Sequence, residues 1–287
     1  MKENKSNLVK ITGWILFFLA VGFFCIQMGY FLVHARYQVE YIDNRLFFII
    51  NILCMICLAG SIFLLLNLTK MVQLIVLSVL ILFSIVNVNL LVKSKQEVNN
   101  ITSLSPDWKH VLSIKEDVER GVAVYYRSYF GIMGRPREAL PHKTAGDFKV
   151  EWLEKDVAAV TYKTDGDTIQ QFIGTYGDRG TGTSYYYVGA EIHGQWKAKD
   201  YQVESTPEGI FVTEKGKTEM FEWENIIQFG TLAVVLKKND EAVWTIALNE
   251  DFKVHSDPAE PTTGNIILYK ATMKNNQLIT LEYKTVN

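Results

Sequence analysis

Apolar positions along this chain fall into two regimes. The first third carries three uninterrupted apolar runs, residues 11–33, 46–66 and 71–92, none holding an Asp, Glu, Lys or Arg, and a polar body of nearly 200 residues follows. Crossing a hydrocarbon layer of about 30 Å takes roughly 20 apolar residues as a helix, because only the helix itself can satisfy the backbone polar groups there. Three transmembrane helices are therefore predicted within residues 1–92. Residues 67–70 leave room for only a tight turn, so the second and third form an antiparallel hairpin. The first run exceeds the roughly 7–15 apolar residues of a signal sequence, and no small-x-small cleavage motif follows it. It is expected to stay in the chain as a helix.

Residues 93–105, rich in Lys, Ser, Gln and Asn, read as a polar stalk. Beyond them the period falls to two. Phe148, Val150 and Trp152 alternate with charged residues, as do Ile279, Leu281 and Tyr283 with Thr280, Glu282 and Lys284. Hairpin turns are signalled at Asp165–Gly166, Lys215–Gly216, Asn239–Asp240 and Asn275–Asn276. No helical periodicity of useful length follows the membrane region, so residues 106–287 are predicted to form an all-β domain of antiparallel hairpins, either propeller-like or a sandwich. Trp108, Trp152 and Trp196 recur at about 44 residues, a spacing found in propeller blades.

Two resemblances rest on short motifs. Ser105, Pro106, Asp107, Trp108 and Lys109 resemble the Ser-Pro-Asp-Gly-Lys opening of TolB-type β-propeller repeats, with Trp108 in the glycine's place, and Thr206 to Gly209 echo it. The chain also resembles uncharacterised membrane-anchored proteins of low-GC Gram-positive bacteria, through residues 150–157 and 174–180. That likeness implies an envelope location and brings no catalytic residues.

Cysteine usage and charge sharpen this picture. Cys25, Cys54 and Cys57 all lie in the apolar runs, so the β domain has no disulfide and depends on its core. A cysteine-free exported domain suits a Gram-positive envelope. Lys2, Lys5 and Lys10 before the first run and Lys70 in the turn favour a cytoplasmic N-terminus and an extracellular C-terminal domain by the positive-inside rule. Arg36, Arg45, Lys93 and Lys95 oppose it. The net charge is −2 with both signs mixed, which gives no basic patch for nucleic acid. The acceptor-like Asn100-Ile-Thr lies too near the membrane for glycosylation.

Candidate chemistry is sparse. Asn51, Gln73, Asn87 and Asn89 within the spans are expected to bond to neighbouring helices rather than to line a conduction path. Cys54 and Cys57 share a helix face but lack the further ligands of a zinc site. The glycine-rich stretch 174–184 reads as a wide hairpin loop between strands at 170–176 and 185–191. Its Asp178 and Arg179, with Tyr185, Tyr186 and Tyr187 beyond it, are the candidate ligand-binding residues, the tyrosines as rings that stack on cell-wall sugars. Residues 130–143 read as a long, proline-broken loop, in which Ile132, Met133, Arg135 and Arg137 meet a partner protein or lipid headgroups, or fold back over the core. Asp165 and Asp167 are a turn and not a calcium loop. No nucleophile elbow or His-Glu-x-x-His is present, and no metal or cofactor is expected. The expectation is a non-enzymatic multi-pass membrane protein whose extracytoplasmic β domain recognises a protein partner or small ligand. The alternatives are a glycan-binding module and an enzyme assembled from scattered residues.

Overall fold

The structure, a computed structural model, describes residues 7–129, 131–177, 187–253 and 262–284. It forms two compact units: Met1–Thr102 with Ser113–Glu119 and Val124–Ala139, and Ser103–Leu112 with Arg120–Ala123 and Leu140–Asn287.

The first unit begins with helices α1 (Asn7–Tyr37), α2 (Arg45–Leu65) and α3 (Lys70–Glu97), each long and apolar enough to cross a membrane. At about 1.5 Å per residue the 21 residues of α2 span the hydrocarbon layer almost without excess. Most side chains of α1 and α3 face outward, as lipid-bathed helices require, whereas most of α2 is half-buried against both neighbours. Small residues set the approach of α1 to α2: a Cβ on Gly13 would sit 2.8 Å from the Leu65 side chain, and one on Gly60 3.0 Å from Leu16. One of the expected contacts between helices forms, Asn51 Nδ2 to Asn87 Oδ1 at 3.5 Å, whereas Asn87 Nδ2 bonds the Phe83 carbonyl of its own helix at 3.0 Å and Gln73 Nε2 the Leu68 carbonyl at 3.4 Å. Gln27, which the sequence did not single out, donates to the Phe47 carbonyl at 2.8 Å and accepts from the Tyr41 hydroxyl at 3.1 Å.

Most of a five-stranded sheet belongs to this same unit. Its order is β1 (Glu40–Tyr41), β5 (Met133–Ala139), β4 (Val122–Ser128), β3 (Val111–Asp117) and β2 (Val98–Leu104). The α1–α2 connection is thus a strand. Glu40 pairs with Gly134 and Tyr41 with Met133, and the Ile42 amide donates to the Ile132 carbonyl at 2.8 Å. Val39, Tyr41 and Ile42 are buried, each stabilising the junction by about 1.5–3 kcal/mol. Side chains lock it further. The Ser113 hydroxyl donates to the Ile42 carbonyl at 2.6 Å, and the buried Lys115 ammonium bonds Glu40 at 2.7 Å with the Tyr126 ring 4.2 Å away. Burial pushes Lys115 below the usual lysine range even with Glu40 opposing the shift, and burial with Glu40 nearby raises the Tyr126 phenol.

Two sequence expectations give way here. The expected stalk, 93–105, is the end of α3 running directly into β2, and its two asparagines are structural rather than solvated. Asn99 Nδ2 bonds Glu116 at 2.9 Å, and Asn100 Oδ1 accepts the Asn44 amide at 3.1 Å. The expected long loop at 130–143 contains β5. Pro136 is tolerated within it because β1 ends before it and a bulge interrupts the β4–β5 ladder beside it.

The second unit holds a nine-stranded and a three-stranded antiparallel sheet. The larger runs β12 (Lys217–Glu222), β11 (Gly209–Glu214), β10 (Tyr201–Thr206), β9 (Gly194–Ala198), β17 (Ile279–Lys284), β16 (Asn265–Lys270), β15 (Glu241–Leu248), β14 (Ala233–Lys238), β13 (Ile226–Phe229). Its edge strands β12 and β13 are consecutive in the chain, joined by the 3-10 turn Trp223–Asn225, and β12 touches β14. The sheet therefore curls like a barrel around a core that includes Trp196, Val203, Val212, Val234, Leu236 and Leu281. Outside it, β6 (Thr144–Glu154), β7 (Val157–Thr164) and β8 (Ile169–Thr175) form a sandwich layer, with Val157, Ala159 and Ile173 against Ala233, Val235 and Ala247. β14 is buried on both faces for this reason.

The turns at 165–166, 215–216 and 239–240 form as expected, Asn239 and Asp240 both taking positive φ (51° and 61°). Asn275 and Asn276 do not make a tight turn. They lie in the longer connection between β16 and β17, where Asn276 donates to the Lys270 carbonyl at 2.9 Å and accepts from Lys149 at 2.7 Å. Neither sheet of this unit is a four-stranded blade, and the even tryptophan spacing has no structural counterpart. Trp196 is a core residue, Trp152 is half-buried with its Nε1 on Ser103 at 2.9 Å, and Trp108 is 79% exposed in a β2–β3 turn. Trp108 takes a positive φ of 64°, a conformation that glycine adopts more readily.

Asp43 gives the first unit a pH signature. Burial raises its carboxyl, but hydrogen bonds from the Arg45 side chain and amide, the guanidinium charge and the Thr102 hydroxyl outweigh this and hold it below the ordinary 3.8. The folded state thus binds this proton less tightly than the unfolded chain, so the stabilisation is whole above about pH 4 and is lost as pH falls through the lower folded value. Asp43→Asn should cost about 2 kcal/mol at neutral pH. It should also remove the part of the acid-induced loss that distinguishes wild type from variant in thermal unfolding of the full chain in micelles. Parallel acid limbs in the two would contradict this assignment.

Candidate functional site

The curled sheet has a seam between β12 and β13, and the local sequence builds a groove there. Residues Val188–Glu191 form a single helical turn, α4, rather than the strand expected at 185–191. Four-residue spacing explains it: Val188 and Ile192 must both enter the barrel core, and one helical turn puts them on one face. The Ser205 hydroxyl holds the turn through the Gly189 carbonyl at 2.7 Å, and Gln228 Oε1 accepts the Val188 amide at 2.9 Å.

Trp223 opens the 3-10 turn and its ring packs against Gly189 of α4. A Cβ on Gly189 would fall 2.7 Å from its Cη2 and closer still to Cζ3, so only glycine lets the ring approach. The indole Nε1 donates to the Pro207 carbonyl at 2.9 Å, which fixes the ring and leaves it 36% exposed. The result is a groove of about 370 Å³ between Trp223 and Tyr187, with Ile226, Gln228 and the core residue Val234 along it. That volume sits at the small end of ligand pockets. Its chemistry is ring stacking and apolar burial. Gln228 already serves backbone on both ends, its Nε2 bonding the Gly230 carbonyl at 2.9 Å.

Of the residues selected from sequence, Tyr187 lies in this groove, 62% exposed at the start of α4. Asp178, Arg179, Tyr185 and Tyr186 lie outside the described residues. Ile132, Met133, Arg135 and Arg137 are on β5 or just before it in the first unit: Ile132 is exposed, Met133 is half-buried opposite Tyr41, and Arg135 stacks on Tyr129 at 4.3 Å. Arg137 is exposed beside the bulge. Trp223 was missed, although a tryptophan between Glu222 and Glu224 is an unusual placement for so large an apolar ring. A larger concavity of about 820 Å³ at the β9–β10 turn is lined mainly by polar residues, Lys197, Lys199, Asp200, Lys215 and Glu282 among them. Among the described residues no cluster of His, Cys, Asp or Glu could hold a metal. No family model, curated protein or solved structure matches the chain.

Gly189→Ala should push the Trp223 ring outward and break its bond to Pro207. The expected outcome is a red-shifted component of tryptophan emission that Trp223→Phe abolishes, with barrel stability changed by no more than about 1 kcal/mol. An unchanged emission spectrum would show that the ring does not rest on Gly189.

Proposed function

We propose that this chain is a non-enzymatic membrane-anchored binding protein. Three helices hold the β structure at the outer face of the cytoplasmic membrane of a Gram-positive cell, and the Trp223–Tyr187 groove receives an apolar or aromatic group of a protein partner or small ligand. The observation that carries this reading is a fixed, part-exposed indole over a groove that reaches the core residue Val234. A sugar is the second reading, favoured by the exposed Tyr187 ring. It is the weaker one on the described residues, because sugar hydroxyls need several converging polar groups and the groove supplies Gln228, whose amide is already engaged.

Fluorine-labelled tryptophan at position 223 of the full chain in nanodiscs tests the site directly. A capped aromatic peptide should shift the Trp223 resonance, with Tyr187→Ala weakening the effect. A shift with N-acetylglucosamine oligomers alone would transfer the site to glycan, and no shift with either would remove it as a binding site. Orientation is tested by protease shaving of intact cells carrying a tag at Asn287. Loss of the tag is expected, and protection would reverse the topology.

A further inference from the structure

The end of α1 and the edge of the first sheet place several arginines together with no acid among them. Arg36 lies in the last turn of α1, and its guanidinium carbon is 5.6 Å from the centre of the Tyr37 ring. The Arg135 guanidinium approaches the same ring at 5.8 Å and the Tyr129 ring at 4.3 Å. Arg127 pairs directly with Arg135 across the β4–β5 ladder, so both side chains leave the same face of the sheet. Like charges in that position repel. Arg135 Nε is moreover buried without a hydrogen-bond partner. Among the described residues, none of these three arginines makes an ion pair, and Glu138, the one acid of β5, makes none with them. Stacking on tyrosines stabilises a guanidinium by about 0.5–1 kcal/mol at exposed sites but cancels no charge.

Depth identifies what does cancel it. The uncharged run of α1 ends at residue 33, which puts Arg36 about 4–5 Å past the hydrocarbon boundary. The headgroup layer is about 5–8 Å thick in each leaflet. Arg135, tied to the same Tyr37 ring, lies at this level too. Arg36, Tyr37, Gln38, Arg135 and Pro136 line a notch of about 390 Å³ there.

We propose that this notch binds the phosphate of an anionic phospholipid headgroup, held by Arg36 and Arg135, with Arg127 adding charge from the neighbouring strand. A planar guanidinium offers paired donors that match phosphate oxygens. With no acid in the notch, the ammonium of a zwitterionic headgroup has no partner, so selection falls on lipids of net negative charge. The proposal is independent of the Trp223 groove and of which leaflet the notch faces.

Native mass spectrometry of the full chain in mild detergent, with phosphatidylglycerol or phosphatidylcholine of matched acyl chains, tests it. Phosphatidylglycerol should be retained preferentially, and Arg135→Gln and Arg36→Gln should each lower its retention about tenfold. Arg135→Lys should retain more than Arg135→Gln, because the charge stays while the fork is lost. Arg127→Gln, at an exposed position, should weaken retention without disturbing the sheet, so a misfolded notch variant would still leave a valid test. Excess inorganic phosphate should fail to displace the lipid. Equal retention of the two lipids, unchanged retention in the variants, or displacement by inorganic phosphate would overturn the proposal.

Discussion

The first unit depends on two residues of backbone pairing. Glu40 and Tyr41 are the whole of β1, yet through them the connection between two transmembrane helices becomes part of a sheet. Backbone bonds alone would hold so short a strand weakly. What secures it is burial of Val39, Tyr41 and Ile42, together with polar contacts from chain segments far away in sequence: Asn100, Thr102, Ser113 and Lys115. The α1–α2 connection and the sheet must then share one side of the membrane, which an odd number of spans before the sheet also requires.

In the second unit the governing constraint is two-faced burial of β14. Its inward residues Val234 and Leu236 fill the barrel, while Ala233 and Val235 meet the β6–β8 layer. A sheet curled this far brings β12 and β13 together without pairing them, and the short Trp223–Asn225 turn closes the gap. The groove is a by-product of that closure. A large ring is needed to cover the seam, its hydrogen bond to Pro207 holds it at the surface, and Gly189 admits it.

Much of this architecture was legible in the sequence where one physical rule dominates. Lipid leaves helices as the only answer for three uncharged runs, and alternation identified β6 and β17 as strands, although only β17 is buried on one face; β6 is half-buried on both from Phe148 to Trp152. Legibility failed where polar residues serve the interior. Asn99 and Asn100 looked like a solvated stalk because their bonding partners, Glu116 and Asn44, are distant in the chain. Pro136 and the arginines around it looked like a loop because the part of β5 that runs past the end of β1, beside a bulge, accepts what a fully paired strand rejects. Tyr187 was identified as an exposed ring. Trp223 was not, since its role depends on a glycine 34 positions away.

Hydrogen exchange of the full chain in nanodiscs addresses the central claim most directly, through the amides of residues 39–45. If the α1–α2 connection is a strand of the sheet, these amides, Ile42 above all, exchange as slowly as those of β14 and β15. Exchange within seconds, with the barrel still protected, would mean that the connection is a free loop and that the helices and the first sheet are not one body.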